Sequence, residues 1–311
     1  LFVALYTFYI IFSTDDPLIE ALLKMGRVAL FALIGVGIAA FWLLPVFSAL
    51  LESKASAGST FAWSWDFVND VVAMPQKFIL GSFGEKEWGD PKALPQLYIG
   101  GLALFGLFTF FAKKEITLLK KLSAIVVLLV LFLSFSIQGF DQIWHMGQRP
   151  VGFFFRNSWV ANSFMLVLAS ESLLQWKDKL RLSEVLVAIF GFGSILVLST
   201  QRSLQFVETP QKILAFCFWT TILLAFFFRK VDKVRRLQLV AGVVIIELMI
   251  SSFVGLKRVP FFIGNEGLKN QMEYATAFDQ GGYGGSKAFT RMEMHKGLSH
   301  ANFPIAYNYN G

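Results

Sequence analysis

Cysteine, histidine and charge are all scarce in this chain, and each scarcity removes a class of protein. The single cysteine, Cys217, excludes an internal disulfide and a thiolate metal cluster. Its setting, FCFWTTILLAFFF, makes it an inert core or lipid-facing residue. The three histidines, His145, His295 and His300, fall at no zinc-ligand spacing. No glycine loop of the nucleotide-binding kind occurs, because GGYGG at 281–285 lies in polar, irregular sequence and reads as a flexible turn. ATP-driven transport by this stretch alone is thereby disfavoured. The opening run LFVALYTFYIIF has neither the basic start nor the cleavage site of a signal peptide, and reads as the tail of a span. Both ends of the sequence are expected to be truncations.

Apolar residues fill the space that charge leaves. Of 311 residues, 55% are hydrophobic and 35 are phenylalanine, far too much apolar surface for a soluble domain of this length. The expectation is an all-α polytopic membrane protein. Apolar segments lie at 1–12, 28–51, 97–111, 122–137, 154–174, 185–200, 213–228 and 239–254, about eight transmembrane helices, several slightly short for the roughly 20 residues a span requires.

Charge placement sets their direction. Lys113, Lys114, Lys120 and Lys121 crowd one connection. Lys177, Lys179 and Arg181 crowd the next but one, and Arg229, Lys230, Lys233, Arg235 and Arg236 the one two further on. The positive-inside rule makes these loops cytoplasmic. Residues 51–96, 138–153, 201–212 and everything after Gly255 then lie outside. A bundle over 1–256, with a long external loop at about 51–96, would precede the start of an extracytoplasmic domain at 257–311. This tail is expected to be rich in strands, with ANFPIAYNYNG as a strand and turn. The net charge of +7 thus orients the protein in its membrane, and nucleic acid is not an expected partner. Trp42, Trp144, Trp159 and Trp176 near helix ends suit the headgroup layer, while Gly35, Gly37, Gly191 and Gly193 are expected to let helices approach closely.

Two external regions carry candidate chemistry. In the long loop, Trp63, Trp65, Phe67 and Trp88 alternate with Asp66, Asn69, Asp70, Glu85, Glu87 and Asp90. Ring faces beside carboxylates suit a sugar, so Trp65, Asp66, Asp70 and Trp88 are candidate sugar or acceptor contacts. The alternative is a re-entrant helix lying in the interface with its acids facing water. Asp66 and Asp70, spaced i, i+4, could share a hard cation on one helical face, but without a third fixed ligand no permanent metal or other cofactor is expected. The second region runs from Ile143 to Glu171, where His145, Gln148, Arg149, Arg156 and Asn157 crowd the mouth of a span. A guanidinium donates two parallel hydrogen bonds to a phosphate, and phosphate lies at this depth. The plainer reading is that each arginine snorkels to bulk headgroups.

Two acids fall within the spans. Glu171 is placed toward the cytoplasmic end, where a local partner such as Lys177 or snorkelling accounts for it. Glu247, in VVIIELMISSF, is deeper and should face the bundle interior, pair with a polar group, or be protonated.

The stretches PQLYIGGLALFGLF, IWHMGQRPVGFFFRNSWVANSFMLVLAS and FTRMEMHKGLSHANFPIAYNYNG together resemble the bacterial YfhO membrane proteins. The residues that carry the resemblance are Tyr98 and Gly100; Pro150, Phe155, Arg156 and Trp159; and Arg291, Glu293, Tyr309 and Gly311. Asn157 departs from the family pattern. The resemblance implies a type C glycosyltransferase-like fold, a polyprenyl-phosphate sugar donor, and lipoteichoic acid or a related envelope polymer as acceptor on the outer face. It also implies that the catalytic base belongs to an N-terminal external loop, so no catalytic residue is named in this stretch. His145, Arg149, Arg156 and Asn157 become donor-phosphate contacts. A transporter or lipid-linked sugar flippase, built on Glu247 and broken helices, is the rival from another class, and a membrane scaffold is a third.

Overall fold

A computed structural model of the protein describes residues 2–14, 16–52, 63–83, 93–145, 154–176, 180–201, 207–227 and 232–257. These residues form nine α-helices, α1 (Phe2–Phe12), α2 (Leu18–Glu52), α3 (Gly101–Ala112), α4 (Leu118–Ser136), α5 (Gln138–Trp144), α6 (Ser158–Leu174), α7 (Leu182–Gln201), α8 (Thr209–Phe227) and α9 (Lys233–Lys257), with a 3-10 helix at Val71–Phe78. No strand occurs among them; Phe67 and Ile137 make an isolated antiparallel bridge. The basic loops after 176 lie partly, and the tail from 258 wholly, outside the described residues, as do the strands expected there.

Every apolar segment of the sequence forms a helix, but among the described residues fewer than eight are long enough to cross a bilayer. Five qualify by length and hydropathy: Leu18–Ser48, Leu118–Ser136, Leu182–Thr200, Thr209–Phe227 and Val234–Lys257. This makes the protein a multi-pass membrane protein. The helices Phe2–Phe12, Gly101–Ala112 and Ser158–Leu174 are apolar but shorter. A helix rises about 1.5 Å per residue, so α3 covers only about 18 Å. It nevertheless sits at the centre, packed on α6, α7, α8 and α9.

Small residues let α3 take that position. At Gly106 a Cβ would lie 2.8 Å from the carbonyl oxygen of Ala169, so α3 and α6 touch backbone to backbone. The Thr109 and Ser172 hydroxyls close the same seam at 2.8 Å. Phe105 stacks on Phe226 at 5.0 Å, and Phe192 stacks on Trp219 at 4.7 Å. Of the glycines singled out for close approach, Gly191 does lie against the Phe108 ring, whereas Gly35, Gly37 and Gly193 face open space. In α2 the correction has a plain cause. The helix packs on α1 and leaves nearly all of its apolar surface, from Leu18 to Phe47, exposed, as a lipid-facing helix does.

Ion pairs and ring contacts show which loops share an end. Arg181, before α7, holds Glu115, before α4, through both guanidinium nitrogens at 2.9 and 3.0 Å. The Arg236 guanidinium stands 4.8 Å over the Trp176 ring, and Ser13 of the α1 end meets Ser123 of α4 at 3.2 Å. The basic connections are therefore gathered at one end of the bundle, as the alternation of charge requires. Glu171 belongs to this end, but its partner is not local. It accepts from the Lys120 ammonium of α4 at 2.7 Å and from the Tyr9 hydroxyl of α1 at 3.0 Å, so it ties three helices together.

Candidate functional site

The end opposite the basic loops is built on the last turn of α4. Residues 63–70 are extended there instead of helical, so the interfacial helix over this stretch does not form, and Asp66 and Asp70 share no helical face. The reason is local. Val68 N–H donates to Ser136 O, Gln138 N–H to Asp66 O and Gly139 N–H to Ser64 O, which gives the chain β-like partners that compete with a helix. Asp70 instead caps the 3-10 helix, accepting from Val72 N–H at 3.1 Å. Among the described residues no group of three or more His, Cys, Asp and Glu side chains is arranged to hold a metal.

Gly139 decides how the aromatic residues settle. A Cβ there would come within 2.8 Å of the Trp63 ring, so only glycine lets the indole lie on the α5 backbone. Trp63 then meets Phe140 at 5.3 Å and Trp65 at 5.2 Å, and Trp65 meets Phe140 at 6.2 Å. These rings form an exposed platform, with the Trp65 side chain and the Asp66 carboxylate open to the surroundings. The Asp66 side chain accepts from the Ser64 hydroxyl.

One turn further along α5, Asp141 and His145 stand i, i+4. His145 Nδ1 lies 3.0 Å from Asp141 O and 3.6 Å from its Oδ1. The ring is thus oriented by the residue four positions before it, a spacing visible in the sequence that singled out His145 alone. Arg149, the next candidate, lies outside the described residues, as does Trp88.

The chain returns at the start of α6. Phe155 adopts φ 58°, a conformation L-residues rarely adopt, and its ring packs on Phe135 of the α4 end at 6.4 Å. That turn leaves Arg156 exposed and Asn157 buried. Both amide atoms of Asn157 are shielded and have no hydrogen-bond partner among the described residues, and its side chain makes no capping bond to α6. Thus the aromatic loop, the α5 end with His145, and the α6 head with Arg156 and Asn157 all adjoin the C-terminal end of α4.

A second polar locus lies deeper, where α3 begins. Glu247 is buried at 1% exposure and accepts the Gly101 N–H with both oxygens, at 2.9 and 3.0 Å. Tyr98 stands beside it, with Ser251 a turn further along α9. Gly100, at φ 85°, turns the irregular segment 93–100 into the helix. A cavity of about 200 Å³ opens here, with Gly100, Gly101, Leu166, Ser170, Val244 and Glu247 among its walls. The interior position expected for Glu247 is the one observed. Its partner, a backbone N–H at the head of an unusually short helix, leaves no sequence signal beyond the double glycine.

Comparison with curated proteins and with solved structures gives no match. The family described as bacterial membrane protein YfhO matches residues 1–311, the whole of the sequence, and the chain belongs to that family.

Proposed function

We propose that this chain forms the membrane part of a glycosyltransferase that moves a sugar from a polyprenyl-phosphate donor to lipoteichoic acid or a related envelope polymer. The reaction would run on the face opposite the basic loops, which the positive-inside rule makes extracytoplasmic, and the segment after α9 would lie on that face too. The observation that carries this reading is the convergence, at that end, of an exposed aromatic platform bearing Asp66, the His145 end of α5 and the Arg156–Asn157 head of α6.

In this scheme the acceptor hydroxyl oxygen attacks the anomeric carbon as its proton passes to a base. The bond from that carbon to the phosphate oxygen breaks, and the electron pair leaves with the lipid phosphate. The base is assigned to none of the residues described. Arg156, with Arg149, His145 and the head of α6, would stabilise the departing phosphate. Trp65, Asp66, Asp70 and Trp88 would hold the sugar or the acceptor. The lipid donor would be the membrane partner.

The test is transfer by the full-length protein in lipid nanodiscs, supplied with polyprenyl-phosphate sugar and a glycerol-phosphate polymer. Arg156→Ala should lower turnover at least tenfold with expression and folding unchanged; turnover equal to wild type sinks the assignment.

One observation favours a second reading, a transporter or flippase for lipid-linked sugars. Helix α3 starts inside the bundle with its first N–H on the Glu247 carboxylate, the kind of broken helix and membrane-depth acid that transporters use. Vectorial movement of donor lipid without bond formation, in sealed vesicles, would support it over the transferase.

A further inference from the structure

We infer that the cleft between α3, α6 and α9 holds the hydrocarbon chain of the polyprenyl-phosphate donor; the inference rests on the transferase reading for the phosphate at the head of that chain.

The walls set the chemistry of the occupant. Leu102, Leu166, Leu173, Val244 and Leu248 line much of the cleft, whose volume is about 200 Å³, and Ser170 and Glu247 are its polar side chains. Both are already engaged. The Ser170 hydroxyl donates to Val167 O at 2.8 Å. Glu247 receives the Gly101 N–H on both oxygens, and the positive end of the α3 dipole offsets its charge. No wall residue carries a shielded side-chain nitrogen or oxygen without a partner. The cleft therefore calls for neither a cation nor a hydroxyl, and apolar cavities stay free of water. Leu166 is 45% exposed and Leu248 47%, so its rim lies open on the outside of the bundle, where hydrocarbon is the solvent.

Depth selects the hydrocarbon. At about 1.5 Å per residue, Leu166 and Leu173 lie about 12 and 22 Å along α6 from Ser158. Leu248 and Val244 of α9 lie about 14 and 20 Å before Lys257. The hydrocarbon core of a bilayer is about 30 Å thick, or about 15 Å per leaflet, so the cleft straddles the midplane. An acyl chain from either leaflet ends there and fills one half. A polyprenyl chain is longer than a leaflet and fills both.

Helix α6 supplies the path from the headgroup layer. Trp159, Ser163, Leu166 and Ser170 are spaced i, i+4, i+7 and i+11, which places them on one helical face. Trp159, Leu166 and Ser170 are exposed along it. That face begins beside Arg156, itself exposed in the turn that opens the helix. A lipid phosphate held at Arg156 thus has a continuous apolar track for its chain, and the cleft is where the track deepens.

The experiment is photolabelling of full-length protein in nanodiscs by a long-chain polyprenyl phosphate that carries a diazirine midway along its chain, with adducts mapped by mass spectrometry. Adducts should concentrate on residues 166–173 and 244–248, at least tenfold above those on α2, whose exposed surface reports contact with bulk lipid. Unlabelled long-chain polyprenyl phosphate should displace them; geranyl phosphate, too short to reach the cleft, and phosphatidylglycerol should not. Ser170→Trp puts a ring into the cleft from an exposed position and should lower the labelling at least tenfold. In the transfer assay it should raise the donor KM with kcat kept, because the chain is held equally in ground and transition states. Labelling of α2 equal to that of the cleft, or displacement by phosphatidylglycerol, overturns the inference, and the wild-type map decides this even if Ser170→Trp fails to fold. Unchanged labelling in a folded Ser170→Trp protein overturns it as well. The transferase reading fails separately, if the cleft is labelled as expected and no sugar is transferred. Transfer by a protein whose cleft is unlabelled removes the cleft and leaves that reading standing.

Discussion

Glu247 of α9 and Gly101 of α3 are joined across the membrane interior by a carboxylate that receives one backbone N–H on both of its oxygens. A helix head leaves its first N–H groups without intrahelical partners, and in hydrocarbon no water can serve them. The acid therefore completes α3 from another helix. Glu247→Leu should lower stability by about 1–3 kcal/mol, and Glu247→Gln, which keeps an acceptor oxygen, by clearly less. Thermal unfolding of the purified protein in detergent checks the ranking; equal losses would mean that charge, and not acceptance of the N–H, is what matters.

Gly101 is constrained from the opposite side. A Cβ there would lie 2.7 Å from Trp219 Cδ1 and 3.1 Å from Glu247 Oε2, and neither group is free to retreat, since Trp219 is itself stacked on Phe192. Gly101→Ala should therefore cost about 1–3 kcal/mol as overpacking, with partial recovery in the Gly101→Ala, Trp219→Leu double variant. Unfolding midpoints of the two single variants and the double supply the test, and strict additivity would show that the clash is relieved elsewhere.

Much of this was legible in the sequence, and the limit is physical. Hydrophobic runs located every apolar helix, and the spacing of basic residues grouped the loops that Arg181–Glu115 and Arg236–Trp176 bring together. Composition cannot say how much of a run becomes helix, however. Segment 97–111 reads as one span, yet Tyr98 and Ile99 stay outside the helix because Gly100 turns the backbone and Glu247 fixes where the helix begins. The candidate site shows the same division. Arg156 and Asn157 were conspicuous as polar residues before an apolar helix, but nothing in their spacing shows that one is exposed and the other buried. The φ of Phe155 decides it.

Lys120 and Glu171 provide a test of pairing within the bundle. The two are only partly exposed, at 27% and 22% of their side chains, and Tyr9 donates to the same carboxylate oxygen. Removing one charge strands the other in a poor solvent, whereas removing both does not. Lys120→Met should thus destabilise the protein more than the Lys120→Met, Glu171→Leu pair does. Denaturation of the three variants in one detergent decides this, and a double variant worse than the single would mean that Tyr9 is the partner that matters.

Arg181 and Glu115 make the complementary case at the surface. Their bidentate geometry is good, but the arginine side chain is 41% exposed, so solvent screens the attraction. A double-mutant cycle through Arg181→Gln and Glu115→Gln should give a coupling of about 0.2–1 kcal/mol that shrinks as ionic strength rises. The same pair can report topology as well as energy. Cysteines at 115 and 181 in a Cys217→Ala background should be joined by a short bifunctional thiol reagent, since the two loops share one end of the bundle. A membrane-impermeant maleimide added to intact cells should then fail to block that joining if this end is cytoplasmic. Blocking would reverse the orientation and move the Arg156 end to the inner face, where an extracytoplasmic polymer could not reach it.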